Sequence, residues 1–95
     1  MFDRSVRIKR KTGFIMRNVG GEDLLLPCGA QVKKLNGLIT FNSTAAFIWN
    51  VLADERSLDE LTAAVAKNFE VPPGVARRDV ETFVAEITRL GIVEQ

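Results

Sequence analysis

The chain contains no histidine and no tyrosine, and it has one cysteine and one tryptophan. Without histidine, neither a Ser–His nor a Cys–His arrangement can be built, which removes the commonest nucleophilic hydrolases and transferases. The lone Cys28 allows no intramolecular disulfide framework and no cysteine-rich zinc site. With no base to activate it, Cys28 reads as a small apolar filler. Long apolar runs are also missing. The longest uncharged stretch, Leu35 to Ala53, is broken by Asn36, Thr40, Asn42, Ser43, Thr44 and Asn50, too polar a set for a bilayer. Basic residues from Arg4 to Lys11 interrupt any secretory signal, so the expected address is the cytoplasm. Gly20-Gly21 lacks the spacing and the following helix of a phosphate loop. These absences predict a module that is not an enzyme and carries no cofactor.

What remains is ordinary in amount and uneven in arrangement. The 95 residues fit one domain, 1–95, and 46% hydrophobic with 26% charged is a globular composition. The net charge is +1, yet residues 1–20 hold six basic groups against Asp3, while residues 21–95 hold seven against eleven acids. A basic end of this kind reads as a solvated, flexible arm over residues 1–12, with a nucleic acid or acidic partner as the alternative.

Two halves differ in period. Before Asn42, Phe14–Val19 and Leu24–Leu26 read as strands joined by a Gly20-Gly21 hairpin. Residues 28–37 give no firm pattern, and Gln31 to Leu35 can add extended structure. Asn36-Gly37 is a turn signal, after which Leu38-Ile39-Thr40-Phe41 reads as a third strand. After Asn42 the period becomes helical. Asn42 or Ser43 can cap a first helix with Ala45, Ile48, Trp49 and Leu52 on one face and Phe47 and Val51 on another, a pattern that predicts burial. Ser57-Leu58-Asp59-Glu60 is a capping box opening a second helix striped by Leu58, Leu61, Val65 and Phe69. Val71-Pro72-Pro73-Gly74 ends it. A third helix runs from about Pro73 to Leu90, striped by Ala76, Val80, Phe83, Ile87 and Leu90, with Val84 at the margin and Gly91 as its C-terminal cap. Ile92-Val93 follows as a short apolar tail. The predicted class is α+β, winged helix-turn-helix-like, a three-stranded antiparallel sheet followed by three helices.

That architecture makes DNA an obvious candidate ligand, and charge argues against it. A reading helix carries surplus Lys and Arg. Here residues 73–90 balance Arg77, Arg78 and Arg89 against Asp79, Glu81 and Glu86, and the second helix sets Lys67 against Asp59 and Glu60. The acids Asp54, Glu55, Asp59 and Glu60 could be read as a metal or acid/base group, but the capping box and the helix dipole already account for Asp59 and Glu60.

Gly37-Leu38-Ile39-Thr40-Phe41-Asn42-Ser43-Thr44-Ala45-Ala46-Phe47-Ile48-Trp49, then Ser57-Leu58-Asp59-Glu60-Leu61, then Leu90-Gly91-Ile92-Val93, together resemble the PqqD family. The likeness runs from about Gly13 to the end, and Phe41 stands where the family usually has Leu. The resemblance implies a precursor-peptide recognition element. Such a module binds the leader of a ribosomally made precursor peptide as an added strand and acts as a peptide chaperone for a modifying enzyme, often a radical SAM protein. The alternatives are a general protein-interaction or assembly module of the same fold, or a DNA-binding regulator. Under the leading reading the peptide pairs along Leu38, Ile39, Thr40 and Phe41. Its side chains then meet a flank of the third helix carrying Arg77, Val80, Glu81, Val84 and Thr88, with Val84 partly exposed. Neither specific nucleic acid nor membrane is an expected partner, and the oligomeric state stays open. Trp49 is expected in the core rather than on a ligand platform.

Overall fold

The computed structural model describes residues 6–29 and 39–94. Its elements are β1 (Arg7–Arg10), β2 (Phe14–Val19), β3 (Glu22–Pro27), β4 (Ile39–Phe41), α1 (Ser43–Val51), β5 (Arg56–Ser57), α2 (Leu58–Phe69), α3 (Pro73–Leu90) and β6 (Val93–Glu94). The strands form two antiparallel sheets, in the orders β2-β3-β4 and β5-β1-β6. The first of these sheets and the three helices reproduce the predicted α+β arrangement.

In that sheet the two-residue turn at Gly20 and Gly21 has φ of 60° and 85°. Positive φ at both central positions gives a turn whose twist matches the flanking strands, and glycine takes it without a steric cost. The register that follows pairs Met16 with Leu25 and Leu25 with Ile39, so one face holds Phe14, Met16, Leu25, Ile39 and Phe41 against the core. The opposite face leaves Ile15 45% and Val19 58% exposed. Leu38 and the stretch 30–37 lie outside the described residues.

The second sheet was not predicted, and it corrects the reading of the basic end. Arg7–Arg10 is a strand rather than an arm: Ile8 is buried, and β1 is the centre of its sheet, pairing Arg7 with Ser57 and Lys9 with Glu94. The charges are used locally. Arg7 Nε donates to Glu55 Oε1 at 2.9 Å, and Arg10 donates to the carbonyl of Trp49 at 3.2 Å while its guanidinium lies 5.8 Å from the Trp49 ring centre. Ile92-Val93 folds back, as expected, and Val93 enters β6 against Arg10.

The helix signals sit where the side-chain chemistry puts them. Asn42 Oδ1 accepts from the Ala45 amide at 2.8 Å, and the capping box is complete, with Glu60 N donating to Ser57 Oγ at 3.1 Å and Ser57 N to Glu60 Oε1 at 2.8 Å. The bond from the Ser57 amide, aided by nearby Arg7, holds the Glu60 carboxyl below its ordinary range. Gly91, at φ 74°, ends α3 by donating to the carbonyls of Ile87 and Thr88. Trp49, 1% exposed, sits in the core as expected, with Phe14 at 6.0 Å and Phe41 at 5.9 Å between ring centres. Phe41 in turn meets Phe83 of α3 edge-on at 5.2 Å.

Candidate peptide-binding groove

β4 is an edge strand. One side is paired with β3, and no other strand of the described residues pairs with it. An edge of this kind offers unpaired amides and carbonyls to a further strand. Its side chains alternate as the pleat requires: Thr40 is exposed, Ile39 half-buried, and Phe41 turned inward onto Trp49 and Phe83.

Asn42, the next residue, turns the chain into α1 and begins a groove of about 440 Å³. One wall is the start of α1, with Asn42, Thr44 and Ala45. The other is α3, with Arg78, Asp79, Thr82, Phe83 and Glu86. These α3 positions recur at one-turn intervals and therefore share a flank. Phe83, only 9% exposed, and Ala45 give the groove an apolar floor, while the remaining residues give it a polar and charged rim. Replacing the Asn42 cap by alanine should cost about 1 kcal/mol. Urea denaturation checks this, and an unchanged midpoint would mean that the cap adds nothing at this junction.

The structure separates the residues expected to meet the peptide. Ile39, Thr40 and Phe41 lie on β4, the edge strand among the described residues. Val80 and Val84 do not fit the expectation: both are 0% exposed and have no surface to offer a ligand. Val84 widens the buried stripe of α3 because that helix is covered by more than one neighbour. Arg77 reaches Asp59 of α2 at 3.4 Å and Glu81 at 3.6 Å, so its flank faces α2. Thr88, exposed, continues that flank. At 100° per residue, the Arg77–Glu81–Thr88 flank and the Asp79–Thr82–Glu86 flank lie on opposite sides of the buried stripe. It is the second flank that lines the groove. Sequence reasoning missed it because a helical wheel marks both margins of a core stripe without saying which one faces β4. The one usable signal was Phe83, a large aromatic at the margin next to Asp79 and Glu86.

Other chemistry is sparse. Cys28 is a half-buried free thiol, and no group of three potential metal ligands occurs among the described residues. No described helix is long and apolar enough to cross a membrane.

Similarity to known proteins is at the level of the fold. The fold is similar to that of the PqqD part of PqqCD from Methylobacterium extorquens, whose solution structure represents a functional, stand-alone recognition element for ribosomally synthesised and post-translationally modified peptides. The TM-score is 0.75 at 11% identity, covering 100% of this chain and 96% of that one. It is also similar to TbiB1 in complex with the TbiA(beta) leader peptide, with a TM-score of 0.68 at 16% identity, covering 90% of this chain and 94% of that one. No curated protein matches in sequence. The family model for coenzyme PQQ synthesis protein D matches residues 22–93, well over half of the chain, and the protein belongs to the PqqD family.

Proposed function

We propose that this chain is a non-catalytic module that takes the leader segment of a ribosomally made precursor peptide as an added strand on β4 and presents it to a modifying enzyme. The observation that carries the reading is the edge of β4, unpaired among the described residues, ending at a groove with an apolar floor. The two features are complementary. Each main-chain hydrogen bond contributes about 0.5–1.5 kcal/mol net, so the few that β4 can offer would barely offset the ordering of a flexible peptide. One apolar side chain buried against Ala45 and Phe83 adds about 1.5–3 kcal/mol and supplies the selectivity that backbone pairing lacks. The similarity to a solved leader-peptide complex supports the same use of the fold. The enzyme served is of the radical SAM class in our reading, and the site of action is the cytoplasm, where ribosomal precursors are made.

The test is amide shift mapping with the leader of a candidate precursor peptide. Shifts should concentrate at residues 39–45 and 78–86.

DNA recognition is not part of this function. Arg7 and Arg10, on β1, bond to Glu55 and to the Trp49 carbonyl, and the groove flank of α3 sets Arg78 against Asp79 and Glu86. A labelled duplex titrated at physiological salt should show only weak, non-specific attraction. A sequence-selective, sub-micromolar complex would overturn this.

A further inference from the structure

The groove carries a charge pattern that names the peptide more closely. This inference rests on the leader-binding reading above. Around the axis of α3, Asp79 and Glu86 lie nearest the Phe83 floor, with Thr82 beyond them and Arg78 at the outer lip. The inner line of the rim is therefore acidic, with one carboxylate a turn before the floor and one a turn after it. The two are not equivalent. Glu86 is paired with Arg89 on its own helix, whereas Asp79 has no ion-pair partner among the described residues and is half-buried against the groove.

Spacing fixes what can meet them. Successive turns of a helix advance about 5.4 Å, and same-face residues of a strand recur every 6.6 Å or so. A strand lying along this flank thus sets one side chain per turn of α3. With an apolar side chain on Phe83, the residues two positions to either side come opposite Asp79 and Glu86.

We propose that Asp79 is a specificity-determining residue that selects a leader with Lys or Arg two positions from its apolar anchor. Arg78 lies too far toward solvent to cancel this preference. Glu86 reinforces it weakly, because Arg89 already occupies its carboxylate.

The experiment is selection of a linear random-peptide display library on the full chain, run in parallel on wild type, Asp79→Lys and Thr82→Arg, each first shown to melt like wild type. Wild type should enrich an apolar residue with Lys or Arg two positions away, and Asp79→Lys should exchange that basic preference for Asp or Glu. On one enriched peptide, replacing the basic residue by Glu should weaken binding to wild type about fivefold, the scale of a partly exposed ion pair, and should not weaken binding to Asp79→Lys. If wild type and Asp79→Lys enrich the same charges, while Thr82→Arg binds the wild-type-enriched peptide tenfold or more weakly, the groove reading stands and this inference falls. If Thr82→Arg binds the wild-type-enriched peptide as tightly as wild type does, or no peptide is enriched at all, the groove reading falls and takes the inference with it.

Discussion

Replacing Trp49 by alanine should remove about 3–5 kcal/mol of stability, the range for truncating a large buried aromatic. The side chain lies where three elements converge. Phe14 of β2 meets its ring edge-on, Phe41 of β4 packs at 5.9 Å, and Arg10 of β1 covers it. Domains are held by about 5–15 kcal/mol in total, so the variant should be marginal. In a chain of this size each kcal/mol moves the melting temperature by about 4–8 °C, which makes the loss easy to see in a thermal scan. A melt within a few degrees of wild type would mean that Trp49 does not hold these elements together.

The second large effect separates two positions on α3 that lie close in sequence. Val84→Asp should unfold the protein, because a carboxylate at a 0% exposed site must lose its water with no partner to receive it. Thr82→Arg, on the exposed groove flank, should leave the melt unchanged and weaken leader binding tenfold or more, about 1.4 kcal/mol, by filling the space beside Phe83. Arg77→Glu serves as the control: it breaks a contact with Asp59 on the α2 side and should leave binding intact. A folded Val84→Asp protein would place that valine at the surface. Normal leader affinity in Thr82→Arg would remove the groove from the site.

The difference between these positions also marks what could be read from the sequence. The helices were legible because their ends carry local chemistry: Asn42 and Ser57 cap with side chains three residues from their targets, and Gly91 takes a left-handed turn that other residues resist. The hairpin was legible for the same reason, in Gly20-Gly21. β1 was not. Its four residues include one apolar side chain, Ile8, which gives no period, and its partners at Arg56-Ser57 and Val93-Glu94 are remote in the chain. Lys9 and the arginines around Ile8 read as a solvated tail until those partners are known. The strand half of the candidate site was legible as a strand, since Ile39 to Phe41 lie between a turn signal and a cap. The helix half could not, because which margin of α3 faces β4 depends on the packing of α2 on the other side. Arg77 and Glu81 satisfied the helical spacing as well as Asp79 and Glu86 do.

The most direct test of the account is a titration of the isotope-labelled chain with the leader peptide, followed by amide shifts. Binding as a strand on β4 predicts the largest changes at Ile39, Thr40 and Phe41, together with Thr44, Asp79, Thr82 and Phe83. Changes confined to α2, or to the exposed Ile15 and Val19 face of the hairpin, with residues 39–45 and 78–86 silent, would contradict it.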